Sequence, residues 1–298
     1  MNTPYRGRFA PSPTGPLHFG SLVAAVGSYL AASTQQGEWY LRIEDLDPPR
    51  EMPGAADDIL RCLDAFGFTW HGEVTYQSQR HAAYHAALEQ LQKNRLTFPC
   101  TCTRKVLSAS PIYPGNCRHR RGAVEQPHAI RLRVADKRIQ FNDHLQGLQQ
   151  QNVAKEVGDF VIQRADGLFA YQLAVVVDDA EQGITEVIRG SDLLTVTGRQ
   201  IYLQQQLQLT TPSYGHLPIV VNPAGEKLSK QTFAQPLNID NPAPQLWNAL
   251  QLLGQAPPAT LKEDSLSEIW RWAKANWCWR TIPSQPALMP GSEINSLN

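Results

Sequence analysis

The sequence predicts an α/β fold built on a parallel sheet, with an insert and a short helical region at the C-terminal end. Its N-terminal part follows the order strand, helix, strand, and residues 173–177 are all apolar, as is typical of a buried parallel strand. A chain of 298 residues with 42% hydrophobic content can also form a large core. Because ligands bind at the carboxyl ends of parallel strands, we expect the functional side chains at that edge.

A segment rich in proline and glycine separates the first strand from the first helix. It spans residues 8–20, reads RFAPSPTGPLHFG, and leads into a run at 21–30 whose apolar residues share one helix face. His18 therefore lies where the helix begins. A helix start presents unpaired backbone N–H groups and a positive dipole end, and Gly20 and Ser21 let a phosphate chain approach the backbone. The segment is predicted to bind a nucleotide.

The remaining elements follow from local patterns. Residues 39–44 alternate like a second strand, so Glu44 is expected at a carboxyl end. Ser265 and Glu268 predict a capping box at the start of a late helix. Further strands are predicted at 160–162, 173–177, 184–188 and 217–221, and further helices at 55–66, at 79–92 and up to about residue 209.

Changes in these patterns divide the chain into four parts. Residues 95–150 contain turns, cysteines and basic residues that interrupt the alternation of strands and helices. The predicted division is 1–94 for the first half of the main domain, 95–150 for the insert, 151–235 for the second half, which ends in a loop that contains Lys227 and Lys230, and 236–298 for a helical C-terminal region.

The cysteines indicate a metal site in the insert. Cys100, Cys102 and Cys117 lie within 18 residues of one another, and five cysteines in total are an odd number, unlike a secreted disulfide framework. Tetrahedral zinc needs a fourth ligand, and from chemistry alone His119 is the natural choice. A closed shell of four ligands leaves no open position, so the site is expected to be structural.

A second motif, Lys227-Leu228-Ser229-Lys230-Gln231, follows the first in the expected order. Together with His18-Phe19-Gly20-Ser21 it resembles the HIGH and KMSKS signatures of the class I aminoacyl-tRNA synthetases, in their glutamyl branch. Ser21 in place of the second histidine is usual in that branch. Gln231 replaces a serine, but both lysines remain. The resemblance covers about residues 5–235.

This resemblance implies a Rossmann-like catalytic domain that activates glutamate with ATP and Mg²⁺. His18, Gly20 and Ser21 would hold the triphosphate, while Lys230, assisted by Lys227, would neutralise charge on the phosphates. The implied glutamate-binding residues are Arg8, Ala10, Ser12, Glu44, Tyr171 and Arg189.

Within this implied pocket, Glu44 is assigned to the α-ammonium, Arg8 with Tyr171 to the side-chain carboxylate, and Arg189 to the α-carboxylate. The roles of Arg8 and Arg189 toward the two carboxylates could be exchanged. Asp178 and Asp179 could equally have a structural role, so they are not assigned to the site. For zinc, the resemblance implies Tyr113 as the fourth ligand, and His119 remains the alternative.

The length of the chain after the second motif indicates which RNA accepts the glutamate. Only 67 residues follow Gln231, too few for the helical anticodon-binding region of ordinary glutamyl enzymes. The resemblance to the short form implies transfer of glutamate to the queuosine base of tRNA(Asp). The alternatives are a truncated enzyme that charges tRNA(Glu) and an RNA-binding relative without catalysis.

The charge balance limits the ways in which this chain could bind RNA. With 27 basic and 27 acidic residues the formal net charge is zero, so any RNA contact must come from a local patch, such as the basic residues of the insert. The N-terminal residues lack an apolar stretch of signal-peptide type, and no segment is long enough to span a bilayer. A cytoplasmic location, no membrane contact and no protein partner are expected.

Overall fold

The computed structural model describes residues 4–108, 110, 112–120, 122–222, 224–228 and 235–289. The strands are β1 Arg6–Phe9, β2 Glu38–Ile43, β3 Thr75–Tyr76, β4 Thr97–Cys100, β5 Ala129–Leu132, β6 Arg138–Asp143, β7 Gly147–Asn152, β8 Val161–Gln163, β9 Glu186–Gly190, β10 Ser213–Leu217, β11 Ile219–Val220 and β12 Ala287–Leu288. The helices are α1 Phe19–Ser33, α2 Ala55–Ala65, α3 His81–Lys93, α4 Arg104–Leu107, α5 Val153–Glu156, α6 Tyr171–Glu181, α7 Leu194–Leu207, α8 Pro242–Leu252 and α9 Leu266–Asn276.

Parallel strands form the centre of the fold. β1, β2 and β3 pair in parallel, and β10 pairs in parallel with both β9 and β6. The two groups meet where β9 lies beside β1, since Thr185 N donates to Arg6 O at 2.9 Å. β7 is antiparallel to β6 at the outer edge. The predicted α/β class with a parallel sheet is confirmed.

Two large hydrophobic clusters hold the helices against these strands. The first surrounds α1, whose residues from Leu22 to Ala32 are almost all buried between the strands and α8. The second joins α3, α6 and α7. In the first cluster Trp270 of α9 donates its indole N–H to Phe66 O at 2.8 Å, which ties the C-terminal region to α2. Among the described residues, no helix is long and apolar enough to cross a membrane.

The prediction of a strand at 173–177 is wrong, because these residues lie in helix α6. All residues from Leu173 to Asp179 are buried, so this part of the helix has no exposed face that would give its sequence a helical period. A short, fully apolar run cannot distinguish a buried strand from a buried helix. The polar sector of α6 is carried by Asp178 and Asp179, which are themselves buried in ion pairs.

The predicted insert contains β4, β5 and β6 and most of β7, which ends two residues beyond it. β4 and β5 form an antiparallel sheet with β8, which follows in the chain, whereas β6 joins the parallel sheet through β10. Strands from this segment therefore pair with two separate strands of the second half of the domain, β8 and β10. The boundaries at residues 94, 150 and 235 remain predictions. The predicted capping box is present, with Ser265 and Glu268 bonded reciprocally at the start of α9.

Candidate functional site

A cavity of about 700 Å³ opens at the carboxyl ends of β1, β2 and β9. Residues from both sequence motifs and from the strands between them line it. The lining includes the following predicted site residues: Arg8, Ala10, Ser12, His18, Gly20, Ser21, Glu44, Tyr171, Arg189 and Lys227. The fold thus brings together residues from distant parts of the chain. Lys230 lies outside the described residues.

His18 caps helix α1 at the cavity wall. Its Nδ1 accepts a hydrogen bond from Ser21 N at 3.3 Å, in the extended conformation of an N-cap residue. Because Nδ1 is an acceptor, the proton of a neutral ring must be on Nε2. A Cβ added to Gly20 would lie 3.1 Å from His18 Cε1, so a larger residue would crowd the ring. The arrangement presents a donor and a helix N-terminus to an anion.

Lys227 lines the same cavity and contacts a residue that the sequence analysis missed. Its Nζ is 2.6 Å from Oδ2 of Asp192, which follows β9 and also lines the cavity. Both side chains are partly exposed. Only the fold brings these groups together, since they are 35 residues apart in the chain.

Glu44 carries a nearly buried carboxyl, with 10% of the side chain exposed, directly after β2. Its backbone N donates to Pro11 O at 2.9 Å, and its Oε1 is 3.6 Å from Arg42 Nη2. Burial raises the pKa of Glu44 to about 7, although the positive charges of Arg42 and Arg8 oppose this rise. A carboxylate that is difficult to ionise alone is well suited to binding a cation that stabilises its charge.

Arg8 is fixed by a network of buried charges. Its Nε donates to Asp179 Oδ1 at 3.2 Å, and the same carboxylate is 2.8 Å from Arg42 Nη2. Burial alone would raise the pKa of Asp179, but the two arginines outweigh it and keep that pKa below its usual value. Asp178 accepts instead from Arg80, Gln77 and Tyr84. Both aspartates therefore have structural partners, and Asp179 orients a predicted ligand-binding arginine.

Arg189 has most of its guanidinium occupied by protein acceptors. Its Nε donates to His216 Nε2 at 3.1 Å, and its Nη2 donates to Thr197 Oγ1 at 2.8 Å and to Gln200 Oε1 at 2.7 Å. Nη1 is 3.4 Å from the hydroxyl of Tyr171, which also lines the cavity. The end of Arg189 beside Tyr171 is therefore the part that can meet a carboxylate.

His216 is itself fixed by Asp143. Its Nδ1 is 2.6 Å from Asp143 Oδ2, so Nδ1 carries the proton and Nε2 is free to accept from Arg189. Burial lowers the pKa of His216, which keeps the imidazole neutral beside the arginine. The sequence analysis missed this pair, because the two residues lie 73 positions apart on separate strands.

The three cysteines of the insert meet as predicted. The Sγ atoms of Cys100, Cys102 and Cys117 all lie within 4.8 Å of one another. The Tyr113 hydroxyl is 3.5 Å from Cys100 Sγ and 4.0 Å from Cys102 Sγ, and it accepts from Cys117 N at 2.8 Å. His119 is exposed and does not belong to this group within the described part of the chain.

The sulfur atoms of this group differ in acidity. Burial raises the pKa of Cys102 to about 11. Burial also acts to raise the pKa of Cys117, but hydrogen bonds from the Thr101 backbone, Cys102 and Tyr113 outweigh it and lower that pKa to about 7. Three sulfurs at this spacing could hold a metal ion that prefers soft ligands.

Comparisons with known proteins agree with this geometry. Residues 5–269 match the catalytic domain of the class I tRNA synthetases of the E and Q group. A glutamyl-Q tRNA(Asp) synthetase of Dechloromonas aromatica is 55% identical over 97% of this chain and 99% of its own length. One of Chromobacterium violaceum is 53% identical, again over 97% of this chain and 99% of its own length.

A solved structure of a glutamate tRNA ligase has the same fold as this chain. The glutamate tRNA ligase of Elizabethkingia meningosepticum, in complex with its amino acid, superimposes with a TM-score of 0.81 at 26% identity, over 98% of this chain and 68% of that chain. The sequence matches and the shared fold agree with the motifs and with the cavity that they line. This chain belongs to the glutamyl-Q tRNA(Asp) synthetases, a branch of the class I tRNA synthetases of the E and Q group.

Proposed function

We propose that this protein activates L-glutamate with ATP to form glutamyl-adenylate and transfers the glutamate to the queuosine base at the wobble position of tRNA(Asp). One observation carries the proposal: a single cavity contains a nearly buried carboxyl, two buried arginines and a histidine at a helix start. Glutamate has one ammonium and two carboxylates, and ATP adds a triphosphate. The relatives named for this modification of tRNA(Asp) support the choice of acceptor.

In the proposed complex Glu44 binds the α-ammonium. Arg8 and Arg189 each bind one carboxylate. Tyr171, which the resemblance assigns to the same carboxylate as Arg8, assists Arg189 instead, because its hydroxyl accepts a hydrogen bond from Nη1 of Arg189 at 3.4 Å. The Nε of Arg8 is held by Asp179, so its terminal nitrogens are oriented for a bidentate contact. Ala10 and Ser12 line the same wall. Fixed donors of this kind position the substrate without reorganisation during the reaction.

The α-carboxylate of glutamate then attacks the α-phosphorus of ATP in line, and pyrophosphate leaves. The Nε2–H of His18 and the start of α1, with Gly20 and Ser21, would bind the phosphates. Lys227 and Lys230 would neutralise the charge that develops on them in the transition state. Mg²⁺ would enter with the ATP. An RNA substrate is consistent with the cytoplasmic location that the sequence predicts.

We also propose one structural zinc ion per chain, bound by Cys100, Cys102, Cys117 and Tyr113. The tyrosine is supported over His119 because its oxygen lies against two of the sulfurs, while His119 is exposed. A four-ligand site would hold the segment after β4 in place and leave no position for a substrate.

Two measurements test the proposed function. Glutamate-dependent exchange of pyrophosphate into ATP should proceed without RNA, which a non-catalytic binder could not do. Labelled glutamate should then attach to tRNA(Asp) that carries queuosine and not to the same tRNA without it. Equal labelling of both preparations, or labelling of tRNA(Glu) instead, would refute the acceptor assignment.

A further inference from the structure

A second cavity, of about 560 Å³, lies next to the first and shares a wall with it. The shared wall contains proposed glutamate-binding residues, namely Ala10, Ser12, Glu44 and Tyr171. The residues proposed to hold the triphosphate, His18, Gly20 and Lys227, line only the first cavity. A bound glutamate would therefore separate the nucleotide from the second cavity.

Transfer of the glutamate requires an acceptor in the site in addition to glutamate and the nucleotide. Once glutamyl-adenylate has formed, its phosphate side is filled by AMP, and the acceptor must reach the glutamyl carbonyl from another direction. The second cavity opens on the glutamate wall and lies away from the helix start of α1. Its position therefore suits the acceptor.

The lining of the second cavity is rich in hydrogen-bond acceptors. Oε1 of Gln77 and Oε1 of Glu51 are buried atoms without a hydrogen-bond partner among the described residues. Gln77 is fully buried, and its amide nitrogen donates to Asp178 Oδ2 at 2.7 Å, which fixes the orientation of the side chain. A buried acceptor without a donor is unfavourable, so these two oxygens favour a ligand that donates hydrogen bonds.

The charge of this cavity also favours a cation. Asp47 lies beside Glu51 in the lining, and burial, together with the negative charges of Asp45 and Asp47, raises the pKa of Glu51. Arg164 and Arg50 pair with Asp47, at 3.2 Å and 2.5 Å. Glu51 has no ion pair among the described residues, so its carboxylate is the group that an added positive charge would stabilise.

We propose that the second cavity binds the aminocyclopentenediol of queuosine, with Glu51 and Gln77 accepting hydrogen bonds from its secondary ammonium and its hydroxyls. This inference rests on the function proposed above and assigns the acceptor subsite within it. In the transfer step a ring hydroxyl oxygen attacks the glutamyl carbonyl carbon. The new C–O ester bond forms, the bond between that carbon and the AMP oxygen breaks, and AMP leaves. The hydroxyl proton goes to the departing phosphate.

Glu51→Ala tests the proposal, with Glu89→Ala as control, because Glu89 is exposed on α3 and lines neither cavity. For each protein we would measure pyrophosphate exchange and glutamate transfer to queuosine-containing tRNA(Asp). Loss of one hydrogen bond to a charged group predicts that the ratio of transfer to exchange falls about tenfold in Glu51→Ala, through a higher KM for the tRNA. The control should keep the wild-type ratio.

A binding measurement gives a second readout. Queuosine nucleoside, titrated calorimetrically into protein saturated with a non-hydrolysable glutamyl-adenylate analogue, should bind wild type and the control about tenfold more tightly than Glu51→Ala. Equal ratios and equal nucleoside affinities in Glu51→Ala and wild type would overturn the subsite assignment while leaving the proposed function intact. Absence of exchange in the wild-type protein would instead refute the proposed function.

Discussion

The raised pKa of Glu44 predicts that glutamate binding depends on pH near neutrality. Only the ionised carboxylate attracts the α-ammonium, and burial places the pKa of Glu44 at about 7 instead of its usual 4.5. The charged groups around it are Arg42 on β2, Arg8 on β1, and Asp178 and Asp179 on α6. Since the folded-state pKa is raised, the binding-competent form is lost as the pH falls through 7.

The size of the effect follows from the fraction of Glu44 that is ionised. With a pKa of about 7, roughly one tenth is ionised at pH 6 and roughly nine tenths at pH 8, so kcat/KM for glutamate should rise about tenfold between these values. With the usual pKa of 4.5 the carboxylate would be ionised throughout, and the same interval would show almost no change.

Pyrophosphate exchange measures this dependence directly. The control is kcat/KM for ATP at saturating glutamate, because a bound ammonium keeps Glu44 ionised and removes its titration from that parameter. Glu44→Gln should abolish the step and lower kcat/KM for glutamate roughly a hundredfold at pH 8, by leaving a buried ammonium without its counter-charge. A flat glutamate profile, or an equal step in the ATP profile, would refute the reasoning.

Three further predictions concern other parts of the molecule. His216→Asn removes one of the side-chain acceptors that fix Arg189 and should raise KM for glutamate about tenfold while KM for ATP stays constant; a parallel rise in both would indicate general damage. Lys227→Ala should lower kcat of exchange about a hundredfold in steady-state kinetics, and an unchanged kcat would exclude Lys227 from transition-state stabilisation. Cys102→Ser, but not Cys278→Ser, should reduce bound zinc in elemental analysis and lower the midpoint of thermal unfolding; full zinc content in Cys102→Ser would exclude this site.

Helix α6 illustrates where prediction from sequence failed. Its apolar residues face the core in every direction, so neither a period of two nor one of 3.6 residues could appear in the sequence. The same helix carries Asp179, which orients Arg8, and begins with Tyr171, which lines the cavity. The prediction that Tyr171 belongs to the glutamate site did not depend on the secondary structure, because it rests on the family resemblance.

Helix α1 illustrates the opposite case. Its start beside His18 depends on neighbouring residues, so the sequence predicted it, whereas the capping bond from Ser21 N to the His18 ring came from the structure. Glu44 after β2 and the three clustered cysteines were predicted for the same reason. Short-range patterns were sufficient for these features, since each depends on residues close together in the chain.

The sequence by itself determined the two motifs, the helix start that presents His18, the strand end that presents Glu44 and the cysteine cluster. Only the tertiary structure decided how the charged and polar groups are paired: Asp179 with Arg8 and Asp143 with His216 in the interior, and Asp192 with Lys227 at the partly exposed side of the cavity. The physical reason is that a charge loses its water on burial and must be matched by a partner within a few ångströms. That partner can come from any strand or helix, so its position in the sequence follows no local rule.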